Sequence, residues 1–229
     1  MDKPTGQLWA SPLTTCSRRV IAACAEAGID FKFVPIHLPK VEHKLPDFVA
    51  MNPYGKVPAW RDGEGYDLYE SRAIMRHVAT GTPLIPATAK ARAIMEQWIS
   101  VDCEYFKPAV MPILYMKVIK KAPLDEAKCA ASRAELEPTL DKMEAALLAS
   151  GFDYLACETY TLADLTFACY FELFEPAGLM DALDARPALA AWWARCRARP
   201  AWAYTLSLKF IEEKKLPADP LGREKPWDP

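Results

Sequence analysis

The chain has 229 residues, 52% of them hydrophobic and 25% charged, with a formal net charge of -2. That length suits one or two domains with a substantial core, and the near-neutral balance argues against a nucleic-acid binder, which needs a basic face. No apolar run approaches the ~20 residues of a membrane span, and the opening MDKPTGQLW lacks an apolar signal-peptide core. Seven cysteines (Cys16, Cys24, Cys103, Cys129, Cys157, Cys169 and Cys196) are scattered without a CxxC pair. They fit reduced thiols in a cytoplasmic protein, with neither a disulfide framework nor a metal site.

In chain order, GQLWA (6–10) reads as a strand, SPLTTC as a turn, and RRVIAACAEAG (18–28) as a helix stopped by Gly28. FKFVPI (31–36) alternates as a second strand. LPDFVAMN (45–52) suits a short helix ended by Asn52-Pro53. VPAW (57–60) and YDLY (66–69) flank RDGEG as a hairpin, and SRAIMRHVAT (71–80) is an amphipathic helix. The order β-α-β-α-β-β-α implies an α/β layer on a small mixed sheet.

From GTPLIPATAK onward the strand patterns stop. Residues 88–118 carry helical periodicity with an expected kink or break near Pro108 and Pro112, and 124–149 form a second long helix in which Pro138 is a misfit. Residues 161–175, 188–198 and about 201–213 supply further helices, and a proline-rich tail runs from Leu216. The expected organisation is therefore an α/β domain over 1–81, a linker at about 81–88, an all-helical domain over 88–215 and a tail over 216–229.

Two stretches carry chemistry. In NPYGKVP (52–58), Pro58 opens a strand although it cannot donate to a central ladder, so the edge at Val57 is free to pair with an extended peptide. In ESRAI (70–74), Glu70 and Ser71 stand at a helix start, where unpaired N–H groups attract a carboxylate while Glu70 can bind an ammonium group. Together they describe a site for a short peptide with a free amino-acid end. The alternative is structural: Ser71 as an N-cap and Glu70 as a partner of the helix dipole.

SPLTTCSRRV, EHK (42–44), NPYGKVPAW, LYESRAI and TLADLTFA together resemble a glutathione S-transferase, through about residue 213, most like the phi class. The resemblance implies a thioredoxin-like domain followed by an all-helical one, in a cytoplasmic homodimer acting on glutathione and a small hydrophobic electrophile, without metal. It implies that His43 and Lys44 approach the glycine carboxylate of glutathione, and that Lys56 replaces the usual glutamine. Val57, before a cis Pro58, would hold the cysteinyl backbone, and Glu70 and Ser71 the γ-glutamyl head. Thr161 and Asp164 match the capping box of a core helix, so Asp164 belongs to folding.

Such an enzyme needs a thiolate, and a free thiol with a pKa of about 8.5 is only slightly ionised at neutral pH. A hydroxyl donor at the first helix favours the anion. The resemblance puts Thr14 where the phi class has its catalytic serine; Ser11, Thr15 and Ser17 are neighbouring hydroxyls that a register change would promote. Cys16 is the other candidate, since SPLTTCS also resembles cysteine-using members that carry out thiol transfer or deglutathionylation. A hydrophobic pocket between domains would draw on Tyr105, Phe106, Met111 and Tyr115. Conjugation, with accessory hydroperoxide reduction, is the leading expectation. The alternatives are Cys16-dependent thiol transfer and a non-catalytic ligand-binding protein on the same scaffold.

Overall fold

A computed structural model describes residues 5–119 and 122–208; the expected helical residues 209–213 and the tail from Leu216 lie outside that range. By contacts the chain forms two compact units, the described residues up to 85 together with 198–208, and 86–197.

The first unit is thioredoxin-like. Strands β1 (Gly6–Ala10), β2 (Phe31–Pro35), β3 (Ala59–Asp62) and β4 (Asp67–Tyr69) form one sheet in the order β2-β1-β3-β4. β1 runs parallel to β2 and antiparallel to β3, which in turn runs antiparallel to β4. Gly6 is required where β1 meets β3, because a Cβ there would sit 2.6 Å from the Trp60 ring. Helix α1 (Thr15–Ala27) starts three residues earlier than the sequence pattern suggests, because Thr14 caps it by accepting the Ser17 N–H. It stops at Gly28, whose φ of 63° is left-handed. All of its residues from Val20 to Ala25 are buried, so α1 is covered on every side there. Helix α2 (Pro46–Met51) presses Phe48 and Met51 onto Ile36 and Ala59, and α3 (Ser71–Val78) buries Ile74, Met75 and Val78.

In the second unit α4 (Ala89–Val101) passes through one π-helical turn, Asp102–Phe106, into α5 (Lys107–Lys117). The wider turn lies directly before Pro108, whose missing N–H and bulky ring do not fit a regular turn, so the expected break is a π-bulge. Pro112 lies inside α5, and α6 (Glu126–Ser150) runs through Pro138 without ending. Next come α7 (Leu162–Phe171), α8 (Phe174–Ala177), α9 (Met180–Asp184) and α10 (Pro187–Arg197). α7 is buried at every position, which is why it shows no amphipathic stripe. Asp164 completes the capping box and accepts the Leu155 N–H and the Trp192 Nε1–H, both at 2.9 Å.

Helix α11 (Pro200–Ser207) returns to the first unit. It packs on α1, and Arg199 at its start donates to Glu26 Oε2 at 2.7 Å. Among the described residues no helix is long and apolar enough to cross a membrane.

Candidate active site

The sheet register brings the expected site segments to one end of the first unit. Trp9 pairs with Ala59 and Ala59 with Tyr69. The segment leaving β1 (Ser11–Thr14), the segment entering β3 (Val57-Pro58) and the segment leaving β4 (Glu70-Ser71) therefore emerge side by side. The parallel neighbour β2 ends at the same edge, with Pro35 opposite Ala10, and leads into the loop that holds His43 and Lys44.

The Val57-Pro58 peptide is cis. The ladders of β3 begin at Ala59, so Val57 extends beyond the paired part of the strand, half-buried. Asn52 holds the loop in front of it: its Nδ2 donates to the Lys56 carbonyl at 2.6 Å and its Oδ1 accepts the Tyr54 N–H at 3.1 Å. Asn52 is only 2% exposed, so these bonds are what make its burial tolerable. The loop closes on the His43–Lys44 turn at Gly55. There φ is +53°, and a Cβ would sit 2.9 Å from both the His43 carbonyl oxygen and the Lys44 Nζ. Lys44 also donates from Nζ to the Tyr54 carbonyl at 3.3 Å. Lys44 and Lys56 are exposed, and His43 is half-buried in a 3-10 turn (Glu42–Lys44).

Glu70 is the N-cap residue of α3, with φ 69° and ψ 108° and no side-chain capping bond. A non-glycine residue at positive φ is sparsely populated, and such backbones concentrate where a side chain must be aimed. Its exposed carboxylate is therefore released outward while its carbonyl accepts the Ala73 and Ile74 N–H groups. Ser71 is 5% exposed, and its Oγ accepts from Arg19 NH1 at 3.1 Å. Arg19 is 0% exposed and reaches from α1 under the start of α3. The expectations from sequence leave Arg19 out: its partner is 52 residues away, and only its place in the RRV run hints at it.

Thr14 is half-buried and extended (φ -93°, ψ 141°). Its Oγ1 lies within donating distance of the Ser17 Oγ at 2.7 Å and the Ser11 carbonyl at 3.1 Å, and it accepts the Ser17 N–H at 3.2 Å. Ser11 and Ser17 are both fully buried, and Thr15 is 8% exposed. Cys16 is half-buried in the first turn of α1. Among the expected hydroxyls, Thr14 alone combines exposure with a place at the helix N-terminus.

Of the residues expected in a hydrophobic pocket, Phe106 is 0% exposed and packs against Phe167, Tyr170, Phe171 and Phe174. It belongs to the core of the second unit and has no face to offer a ligand. Tyr105 is 64% exposed and lines a groove of about 560 Å³ against Glu135, Pro138, Thr139 and Lys142 of α6. Met111 and Tyr115, four residues apart on one face of α5, are not among the groove's lining residues. Among the described residues no cluster of three or more His, Cys, Asp or Glu side chains could hold a metal ion.

Comparison with known proteins agrees with this layout. Residues 4–80 match the family profile described as glutathione S-transferase, N-terminal domain, and residues 106–200 match the corresponding C-terminal domain profile. The chain belongs to the glutathione S-transferase family. Glutathione S-transferase 3 of Zea mays is 37% identical over 211 residues, covering 88% of this chain and 93% of the relative. Glutathione transferase F7 from Populus trichocarpa superposes with a TM-score of 0.80 at 32% identity, covering 88% of this chain and 97% of that one. Glutathione S-transferase I from maize, solved with an atrazine glutathione conjugate, gives 0.82 at 29% identity, covering 91% and 99%. Within the glutathione S-transferases the chain is most like the phi class.

Proposed function

We propose that this glutathione S-transferase conjugates the thiol of glutathione to small hydrophobic electrophiles, with the Thr14 hydroxyl donating to the bound sulfur. The observation that carries the reading is the convergence, at one sheet edge, of Thr14, the strand entry at Val57-Pro58 and the pair Glu70-Ser71. An extended tripeptide laid along Val57 would pair its cysteinyl N–H and C=O with the backbone there. The γ-glutamyl carboxylate would meet Ser71 and the first N–H groups of α3, with the Arg19 charge behind them, and its ammonium group would meet Glu70. His43, Lys44 and Lys56 would supply positive charge for the glycine carboxylate at the far end. The cysteinyl sulfur would then lie toward Thr14 and the positive end of α1, where two donors favour the anion. Hydroperoxide reduction by the same thiolate is an accessory activity of this proposal, and homodimer assembly would place its elution at twice the 25.6 kDa chain mass.

Cys16 supports a second reading, because its thiol is also half-buried in the first turn of α1. Matched rates separate the two readings: conjugation of glutathione to chlorodinitrobenzene, and glutathione-dependent reduction of a mixed disulfide, each for wild type, Thr14→Val and Cys16→Ser. Conjugation lost in Thr14→Val and kept in Cys16→Ser is the expected result. Disulfide reduction that depends on Cys16, with little conjugation, would reassign the enzyme to thiol transfer. Neither rate, with glutathione still bound, would make it a binding protein.

A separate expectation concerns recognition. Glu70→Ala removes a charged hydrogen bond to the ammonium group, a contact of about 1.5–3 kcal/mol. KM for glutathione should rise roughly ten- to hundredfold while the rate at saturation changes little. An unchanged KM in steady-state kinetics would remove Glu70 from the site.

A further inference from the structure

The hydrogen bonds at the start of α1 restrict which hydroxyl gives its proton to which. Ser17 Oγ is fully buried, accepts the Ser11 N–H at 3.2 Å, and lies 2.7 Å from Thr14 Oγ1. Among the described residues these two are the partners of its hydroxyl. A hydroxyl carries one proton and two acceptor lone pairs. If Thr14 gave its proton to Ser17, the Ser17 proton would be buried without an acceptor, which is costly. The economical arrangement is the reverse. Ser17 accepts from the Ser11 backbone and donates to Thr14, whose oxygen then accepts both the Ser17 N–H and the Ser17 O–H. That fills the Thr14 lone pairs and leaves its own proton to be given away. The acceptor present is the Ser11 carbonyl at 3.1 Å, long for an O–H···O bond. A thiolate is a charged and stronger acceptor and would draw the proton outward.

We propose that Ser17 is a positioning residue, which by donating to Thr14 Oγ1 leaves the Thr14 proton free for the substrate sulfur. The chain of donors runs from the Ser11 N–H through Ser17 and Thr14 to the sulfur, and each bond polarises the next. Ser17 itself touches no substrate. This inference rests on the reading of Thr14 as the donor to sulfur.

The test is the ionisation of enzyme-bound glutathione, followed by the ultraviolet absorbance of the thiolate against pH at saturating glutathione. The proteins compared are wild type, Thr14→Val, Ser17→Ala, Ser17→Cys and the Thr14→Val/Ser17→Ala double variant. Below the thiol pKa, Ser17→Ala should hold roughly three- to tenfold less thiolate than wild type at equal saturation, a shift of about half to one pKa unit. Ser17→Cys, close in volume and a weaker donor, should fall between the two and keeps the comparison valid if the alanine variant folds poorly. The double variant should match Thr14→Val, because Ser17 acts through Thr14. A wild-type titration in Ser17→Ala and Ser17→Cys would overturn the proposal, as would a double variant lower than Thr14→Val by the full Ser17 factor. A wild-type titration in Thr14→Val alone would overturn the reading of Thr14 itself, and the relay with it.

Discussion

Thr14→Val should lower the rate of glutathione conjugation by roughly ten- to hundredfold, the effect of a rise of about one to two pKa units in the bound thiol when its hydroxyl donor is removed. Valine keeps the β-branched shape and removes only the oxygen, so the change isolates the hydrogen bond. KM for glutathione should hardly move, because the proposed recognition contacts are made by Val57, Glu70 and Ser71 and not by Thr14. The loss should shrink as pH rises through the thiol's own pKa, where solvent supplies the thiolate that the enzyme no longer stabilises. Valine also deprives the Ser17 N–H of its cap acceptor, which should cost about 1 kcal/mol of stability. Thr14→Ser keeps the oxygen and should retain the activity. Steady-state rates across pH for the three proteins provide the check, and a pH-independent loss in Thr14→Val would mean that the hydroxyl does not act on ionisation.

The largest loss of stability is expected at Asp164. Its Oδ1 holds the Leu155 N–H and the Trp192 indole N–H, and its Oδ2 holds the N–H of Thr161 at 2.8 Å and the Thr161 hydroxyl at 3.2 Å. All of these groups are buried. Asp164→Ala leaves at least two of the donors unpaired and opens the capping box, so a loss of about 3–5 kcal/mol follows. In a chain of this length that corresponds to a fall in Tm of roughly 6–15 °C, measurable by calorimetry. The loss should also depend on pH. Burial, the largest influence, pushes the Asp164 carboxyl above the usual carboxylate range, against the pull of its donors. The folded chain therefore binds that proton more tightly than the unfolded chain does, and its contribution is full below the unfolded value of about 3.9 and is lost as pH rises through the folded one. The gap between wild type and Asp164→Ala should widen as the pH is lowered. A gap that narrows on acidification would show the carboxylate, not the acid, to be the favoured folded form.

The residues most legible in the sequence are those whose role is local. Gly28 stops α1 because a left-handed cap is a property of one residue, and Thr161 with Asp164 announces a capping box three residues apart. The hairpin, the element order of the first unit and the cis bond at Val57-Pro58 follow from turn chemistry and from a family pattern carried by a few short motifs. What was not legible depends on partners distant in the chain. Arg19 is buried against Ser71, and periodicity in α1 cannot tell that position from an exposed one. Phe106 and Met111 look alike as apolar residues of one helical stretch, yet the first fills an aromatic cluster and the second does not. Pro112 and Pro138 read as breakers because the cost of a missing N–H is local, while the packing that keeps their helices whole is tertiary.

The grouping of residues 198–208 with the first 85 bears on how the protein is made. During synthesis the N-terminal sheet leaves the ribosome with the back of α1 still lacking α11, whose Trp202 and Tyr204 are buried in the finished chain. The whole of the helical unit is translated before that cover arrives, at about 5–20 residues per second. For several seconds, then, the nascent first unit carries an open apolar flank, with Glu26 still waiting for Arg199. Ribosome-bound chains stalled just before Pro200 should consequently recruit chaperones that the released protein no longer needs.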